Sequence, residues 1–428
     1  MTRVRGLDIV LPYGKEKTIT LALPDENIFF IADRGHAPPL ENPREEIKKA
    51  LGKPVGLDPL RKLVKARDRV VIVGDDNTRP TPQSLIVPVL LDELNAAGVP
   101  DGNIKVVIAL GTHRKMSEKE IKEKYGEEVF KRVAIINHDC KHPENLVDIG
   151  MAEIGIPVRV NKEVYNADFV IGVGNIVPHP LAGWGGGGKI IFPGVCDEKT
   201  VAMTHFVASK VRPLSKLMGR LDNEIRRIID RVAAKAGLKL IVNTVLNQED
   251  KIAHFAVGHP ITAFKEGVSF AEKIFRPKIP GLADIVVVSS YPADIDYYQA
   301  SKAVAYASLA VKQGGTMVLI TPCYEGISPI HPVIREKAML TYDEILKAVE
   351  NNEIEDLVSV AVLFTHAQSM ERAEVICYSD GLTEEDKRAL GFKHASTVEE
   401  AIELAFESQG RNAKVGVLKC GEILPMIK

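Results

Sequence analysis

The sequence predicts an α/β protein with two α/β domains, mostly parallel sheets and an active site in the cleft between them. Apolar runs rich in Val and Ile alternate with polar loops and helical patterns in both halves of the chain, as in parallel sheets. The proline-rich joint 276–281 separates the two halves. We therefore expect one domain at 1–275 and another at 276–428.

The first half contains most of the strand-to-loop transitions. Strands are predicted at 18–23, 27–32, 69–74, 104–110 and 169–173, with a hairpin at 238–246 and 251–257. Helices are predicted at 57–66, 82–97, 117–125, 215–236 and 261–275, and Ser117 caps the third of these. Asp197 caps a further helix, which carries His205. The region 134–168 is less regular.

The second half repeats the alternation of strands and helices. Strands are predicted at 283–290, 316–321, 374–379 and 414–419, and helices at 297–313, 344–351, 384–390 and 398–408. Short connections between such elements again favour a parallel sheet with helices on its faces.

Composition excludes several classes of function. A net charge of −2 gives no reason to expect nucleic acid or an acidic membrane as a partner. The first eight residues lack the apolar core of a signal peptide, and no apolar run reaches the length of a membrane span. The five cysteines are scattered, without a C-x-x-C pair. We expect a reduced, cytoplasmic enzyme.

The stretch 169–205 is the most unusual part of the sequence. An apolar strand leads to His179, and the glycines 185–188 then precede Lys189. A glycine run lets the backbone approach a ligand closely, which favours a cofactor cradle with Lys189 as the reactive group. The alternatives are a flexible loop, which Trp184 should anchor, and a phosphate loop, which lacks the Ser or Thr after its lysine.

Polar residues follow several predicted strands, where parallel sheets bind ligands. They are Asp76, Arg79, His113 and His179. Arg79 can bind a carboxylate or phosphate, or it can pair with Asp75 or Asp76. His113 and His179 suit proton transfer on opposite sides of one carbon, or they are unrelated loop residues.

Two further clusters have both functional and ordinary interpretations. Tyr298, Gln299 and Lys302 share one helix face and could reach an anionic ligand, or they begin an ordinary amphipathic helix. The segment H-D-C-K-H at 138–142 is either a metal cluster without an obvious fourth ligand or a polar loop.

Together these motifs resemble the lactate racemase family of nickel-pincer enzymes over nearly the whole chain. The shared motifs, in order, are D-N-T-R-P, G-T-H-R, P-H-P followed by G-G-G-G-K, T-H-F and Y-Y-Q-A-S-K. The resemblance implies an isomerase that racemises or epimerises a 2-hydroxy acid, lactate or a related acid. The first domain would bind the cofactor, and the second would close over the substrate.

The resemblance also implies residue roles. Lys189 would link covalently to a nickel-pincer nucleotide, a pyridinium-3-thioamide-5-thiocarboxylic acid mononucleotide, and His205 would ligate its nickel. His113 and His179 would be the catalytic acid/base residues. Asp76, Arg79 and Tyr298 would contact the cofactor. Arg79, Gln299 and Lys302 would bind the substrate.

In the implied mechanism, one histidine takes the hydroxyl proton while the α-hydrogen leaves as hydride to the pyridinium. The keto acid then turns, the hydride returns, and the other histidine supplies a proton. The implied partners are a small-molecule 2-hydroxy acid and, transiently, the cofactor-synthesis enzymes, without nucleic acid or membrane. The alternative is a non-catalytic carrier of the nucleotide. Phe364, His366 and Gln368 are candidates for the pocket that selects the acid.

Overall fold

The computed structural model describes residues 6–428; residues 1–5, which entered the expectation about a signal peptide, lie outside the described residues. The strands are β1 (Gly6–Tyr13), β2 (Lys17–Pro24), β3 (Ile28–Ala32), β4 (Val70–Asp75), β5 (Ile104–Ala109), β6 (Ala134–Asn137), β7 (Leu146–Ala152), β8 (Ile156–Asn161), β9 (Phe169–Asn175), β10 (Pro178–His179), β11 (Gly183–Trp184), β12 (Leu238–Leu246), β13 (Ile252–Gly258), β14 (Lys278–Ile279), β15 (Ala283–Ser289), β16 (Val311–Ile320), β17 (Ala373–Tyr378), β18 (Lys393–Ala395), β19 (Val415–Leu418) and β20 (Met426–Ile427).

The α-helices flank these strands. They are α1 (Pro43–Gly52), α2 (Leu60–Leu63), α3 (Gln83–Ala96), α4 (Glu118–Arg132), α5 (Lys162–Tyr165), α6 (Glu198–Ser209), α7 (Glu224–Lys235), α8 (Thr262–Phe275), α9 (Tyr297–Ala307), α10 (Val333–Lys337), α11 (Tyr342–Glu350), α12 (Leu357–Met370), α13 (Glu384–Ala389) and α14 (Val398–Gln409). Within residues 6–428, none of them is both long and apolar enough to cross a membrane.

Two six-stranded sheets organise the chain, which confirms the predicted α/β class. The first has the order β13-β12-β9-β4-β5-β6, and only β13 runs antiparallel to its neighbour. The second has the order β18-β17-β16-β15-β19-β3 and is parallel throughout. One apolar core includes residues from both halves of the chain.

The topology brings the N-terminus to the second sheet. Strand β3 pairs with β19 at its edge, and the β1–β2 hairpin buries Leu11 and Leu21 in a core shared with β15 and β16. A division of the chain by sheets would therefore place residues 6–32 with the second half. The boundary between residues 275 and 276 stays a prediction.

Several predicted elements have different limits in the structure. The helix expected at 215–236 begins only at Glu224, because Asn223 caps it with its side chain and Gly219 adopts a φ of +67°. The helix expected at 297–313 ends at Ala307, because Val311 already pairs with β15. The helix expected at 57–66 shrinks to Leu60–Leu63 between Pro59 and an extended Val64.

The irregular region 134–168 contains β6, the β7–β8 hairpin and α5, which periodicity did not reveal. Its H-D-C-K-H segment does not gather around a metal: His138 contacts the carbonyl of Cys196 at 2.8 Å, whereas His142 pairs with Asp139. No group of three or more His, Cys, Asp or Glu residues able to hold a metal exists among residues 6–428. The polar-loop interpretation fits this segment.

Candidate functional site

A cavity of about 150 Å³ between the two halves is lined by all the residues predicted for catalysis and for binding the cofactor, the metal and the substrate carboxylate. These residues are Asp76, Arg79, His113, His179, Lys189, His205, Tyr298, Gln299 and Lys302. The first six come from elements around the first sheet, and the last three from the first turns of α9 in the second half.

Strand order explains why the first-half residues meet. The strands β9, β4 and β5 are neighbours in one parallel sheet, so their carboxyl ends lie side by side. Asp76 and Arg79 follow β4, His113 follows β5, and His179 follows β9. The buried Val and Ile residues of these strands hold the loops that follow them in fixed positions.

His113 forms a dyad with Asp76. Its Nδ1 lies 2.7 Å from Oδ2 of Asp76, which is almost fully buried. Burial would raise the pKa of Asp76, but the charge of His113 and its hydrogen bond, followed by Arg79 and Thr78, hold that pKa below its usual range. Asp76 is therefore a carboxylate that orients the His113 ring and can stabilise its protonated form.

A hydrogen-bond chain crosses from the second half to this dyad. The amine of Lys302 donates to Oε1 of Gln299 at 2.6 Å, and Nε2 of Gln299 lies 3.3 Å from Nε2 of His113. The ionised carboxylate of Asp76 can only accept, which fixes the direction of the bonds on both nitrogens of the His113 ring. His113 therefore carries its proton on Nδ1, and its Nε2 is an acceptor.

His179 is the opposite tautomer, with its proton on the other ring nitrogen. Its Nδ1 accepts from the backbone N–H groups of Leu181 and Ala182 at 3.2 and 3.1 Å. The ring proton therefore belongs on Nε2. Burial is the main reason that the pKa of His179 falls well below its ordinary value, so the ring is neutral at neutral pH.

Lys189 lies at the end of the glycine run. Within the described part of the chain its amine forms no hydrogen bond or ion pair with another side chain. Burial, then Arg79, Lys302 and Arg226, lowers its pKa well below the usual value, which leaves a neutral, nucleophilic amine. The turn Gly187–Ile190 opens no α-helix, and α6 begins only at Glu198, so this is not a phosphate loop.

Close packing is a further physical reason for the glycine run, besides the predicted approach of the backbone to a ligand. A Cβ on Gly187 would lie 2.9 Å from Phe264, and one on Gly188 would lie 2.9 Å from Cβ of Ala233. Gly186 and Gly187 also adopt positive φ values, +84° and +59°. Larger residues would therefore clash where the loop packs closely on α7, α8 and β9.

The buried Arg226 binds the backbone of the same loop. Its guanidinium donates to the carbonyls of Gly186, Trp184 and Ala182 and lies over the ring of Phe264. Trp184 is fully buried and donates to the carbonyl of Gly219 at 2.9 Å. The loop is therefore anchored on both sides, and the flexible-loop alternative does not fit it.

His205 points into the cavity from α6, whose start is capped by Asp197. Its Nδ1 donates to the carbonyl of Val201 at 2.8 Å, which leaves the lone pair on Nε2. Burial is the main reason that its pKa falls to about 4, so the ring is neutral. A neutral imidazole with one free nitrogen is suited to bind a soft or borderline metal.

The wall on the side of α12 differs from expectation. The cavity is lined by Val358, Ala361, Val362 and Thr365, not by Phe364, His366 or Gln368. Phe364 packs against Phe206 and Tyr342, and His366 lies 2.7 Å from the hydroxyl of Tyr297. The large and polar side chains were predicted to line the pocket. The i, i+3, i+4, i+7 spacing of the four lining residues could have identified them, because it marks one face of a helix.

Comparisons with known proteins identify the family of the chain. The family model of the lactate racemase N-terminal domain matches residues 13–217, and that of the lactate racemase C-terminal domain matches residues 280–423. A lactate racemase of Thermoanaerobacterium thermosaccharolyticum is 33% identical over 323 residues, which cover 74% of this chain and 75% of that protein. One from Lactiplantibacillus plantarum is 29% identical over 424 residues, or 96% and 98% of the two chains.

Solved structures show the same fold. The lactate racemase apoprotein of T. thermosaccharolyticum superposes with a TM-score of 0.87 at 28% identity, covering 99% of this chain and all of that one. A protein from Thermotoga maritima superposes with a TM-score of 0.73 at 21% identity over 92% of this chain and 100% of the other, which bears on the fold alone. The chain belongs to the lactate racemase family of isomerases.

Proposed function

We propose that this protein racemises or epimerises a 2-hydroxy acid, with lactate as the first candidate. The observation that carries the proposal is the convergence of two differently polarised histidines, Arg79 and Lys302 on one cavity. The curated relatives named lactate racemase support the choice of substrate. The partners we propose are the small-molecule acid and, transiently, cofactor-synthesis enzymes in the cytoplasm.

The cavity residues fit a nickel-pincer nucleotide. Lys189 offers a neutral amine without a partner among the described side chains, as covalent attachment requires. His205 offers one free imidazole nitrogen, and residues 6–428 contain no group that could complete a metal site alone. A nickel ion bound there would therefore need further ligands from the cofactor. Tyr298 and Asp76 would lie beside it.

When bound, the cofactor would accept the α-hydrogen of the acid as hydride and return it. The chain supplies the remaining functions. Arg79 and Lys302 bind the carboxylate and orient the α-carbon. Gln299 gives up its contact with His113 when the substrate hydroxyl takes its place. Nε2 of His113 then accepts the hydroxyl proton, and Asp76 stabilises the imidazolium.

His179 completes the inversion. Nε2–H of His179 would face the oxygen of the keto acid after the keto acid has turned, and it would donate the proton that the hydroxyl of the inverted acid requires. The two amide N–H groups on Nδ1 and the nearby Lys302 stabilise the charge left on the ring. A histidine kept neutral by a lowered pKa can act as an electrophile toward a substrate oxygen in this way. A proton must then pass from His113 to His179 before the next turnover in the same direction.

A non-catalytic carrier is the second candidate. A carrier needs Lys189 and His205, but it has no use for the His113–Asp76 dyad or for the amide contacts of His179. The two candidates therefore differ in whether the loaded protein inverts a substrate.

The experiment is to produce the protein together with the cofactor-synthesis enzymes and to confirm the covalent adduct by intact mass. The loaded protein is then incubated separately with each enantiomer of lactate and of related 2-hydroxy acids, and the products are separated on a chiral column. We expect each pure enantiomer to approach a 1:1 mixture. An adduct without inversion of any acid would favour the carrier.

A further inference from the structure

We propose that the α12 face turned to the cavity makes this enzyme selective for 2-hydroxy acids with one carboxylate and an aliphatic side chain longer than methyl. The proposal rests on the proposed function and names its substrate class. The face consists of Val358, Ala361, Val362 and Thr365, spaced so that they share one side of the helix.

This wall is held rigidly from behind. The opposite side of α12 packs Phe364 between Phe206 and Tyr342, and His366 is fixed by the hydroxyl of Tyr297. Asp356 caps the start of the helix and contacts His331 at 2.7 Å. A wall fixed in this way cannot move aside, so its shape and polarity act directly on the bound acid.

Charge in the cavity disfavours a second carboxylate. Helix α12 carries no Lys, Arg, Asp or Glu between Leu357 and Met370. Glu422 also lines the cavity, is almost fully buried, and makes no side-chain hydrogen bond or ion pair within residues 6–428. With Arg79 and Lys302 engaged by the first carboxylate, a second carboxylate would be desolvated against apolar groups and beside the carboxyl group of Glu422.

Residue size sets the preferred length of the side chain. Ala361 is the smallest residue in the middle of the face, with Val358 and Val362 beside it. We expect the short side chain of Ala361 to leave a hollow between its neighbours, which an ethyl or isopropyl group of the acid would fill better than a methyl group. Each additional buried methylene is worth about 0.8 kcal/mol, or roughly fourfold in kcat/KM.

The test compares kcat/KM of the cofactor-loaded protein for lactate, 2-hydroxybutyrate and malate. We expect kcat/KM to decrease in the order 2-hydroxybutyrate, lactate, malate, and the value for malate to be at least about tenfold below that for lactate. Ala361→Leu should reverse the preference between 2-hydroxybutyrate and lactate by filling the hollow. Thr365→Lys should raise the ratio of malate to lactate at least about tenfold by supplying a cation.

Matched variants guard against a loss of folding. Gln368→Lys adds the same charge to the same helix away from the cavity, and it should leave the ratio of malate to lactate within about twofold. Val362→Thr keeps nearly the same shape but adds a hydroxyl group. It should lower kcat/KM for 2-hydroxybutyrate more than kcat/KM for lactate. Cofactor adduct and melting temperature are measured for every variant.

The outcomes are distinguishable. A loaded wild-type protein that inverts no acid overturns the proposed function, and this inference with it. A wild-type protein that inverts malate faster than lactate overturns the inference alone. If the substrate ratios stay fixed in the cavity-face variants while adduct or nickel content falls, the face contacts the cofactor rather than the acid, and the inference is again wrong.

Discussion

The histidines show how neighbouring groups decide the chemistry of identical side chains. His113 has a carboxylate at Nδ1, and His179 has two amide N–H groups at the same atom. The first ring is therefore an acceptor toward the cavity, and the second is a donor. The sequence places both residues after strands, but their partners' positions depend on loop geometry and were not predictable from local pattern.

Single replacements of the two histidines should have different effects on the oxidative half-reaction. General acid/base assistance is worth roughly 10²–10⁴-fold, so His113→Ala and His179→Ala should each lose at least that in full racemisation. In a single turnover, His179→Ala should still oxidise the enantiomer whose hydroxyl faces the accepting Nε2 of His113, measured as keto acid formed per loaded enzyme, whereas His113→Ala lacks that acceptor and should oxidise neither enantiomer at the wild-type rate. Oxidation of one enantiomer by His113→Ala at the wild-type rate would contradict the assignment of His113 as the acceptor.

Lys189 is expected to be the sole attachment point of the cofactor. Lys189→Ala, made together with the cofactor-synthesis enzymes, should show the unmodified mass, because its amine is the nucleophile at the cavity. The control is Lys199→Ala, which removes an exposed lysine from the next helix and should keep the adduct. An adduct on Lys189→Ala would refute the assignment.

His205 is expected to hold the metal but not the organic group. His205→Ala should keep the cofactor mass and lose nickel by elemental analysis, because one of the metal's ligands is gone while the covalent bond remains. His142 is exposed, so His142→Ala serves as the control and should retain nickel. Equal nickel in His205→Ala and in the wild type would show that another group binds the ion.

At the scale of elements, short-range patterns predicted more than long-range ones. Apolar runs located β4, β5, β9 and β12, and capping residues located the starts of α4 and α6, because these signals are local. The glycine run marked the right loop, but its close packing could not be predicted, since the neighbours come from α7 and α8, far along the chain. Helix α12 was not predicted, because a helix apolar on all sides has no amphipathic pattern.

The packing of the glycine loop can be measured directly. Gly187→Ala should lower the free energy of unfolding by about 2–4 kcal/mol, because it adds a Cβ against Phe264 to a residue with positive φ. Gly185→Ala is the matched control: its Cβ would come no closer than 3.3 Å to another atom, the Cγ2 of Val177, and should cost clearly less. Equal losses in denaturant unfolding would contradict this account.

At the scale of the whole molecule, the two halves are joined by a polar cluster as well as by a shared core. Asp250, on the turn between β12 and β13, accepts from Arg34 at 2.7 Å and from the hydroxyl of Tyr291. Arg34 is almost fully buried and follows β3 of the second sheet. This cluster links the rim of the first sheet to the start of the segment that leads into α9.

Breaking that cluster should destabilise the protein. Asp250→Ala leaves the buried Arg34 without its partner, so the free energy of unfolding should fall by about 2–4 kcal/mol. Asp222→Ala removes an ion pair with Arg227 in which the side chain of Asp222 is 89% exposed, and it should change stability by less than about 1 kcal/mol. Similar effects of the two changes in urea unfolding would contradict a structural role for Arg34.

The cavity draws its lining from two separate stretches of the chain, 75–205 and 298–422, and the α12 wall lies wholly in the second. Substitutions on α12 can therefore change which acid fits, without disturbing cofactor attachment at Lys189. Relatives could diversify by such point substitutions while inheriting an intact reaction centre, because exchange of everything after residue 276 would separate β3 from β19. On this view, substrate range would evolve faster in the family than mechanism.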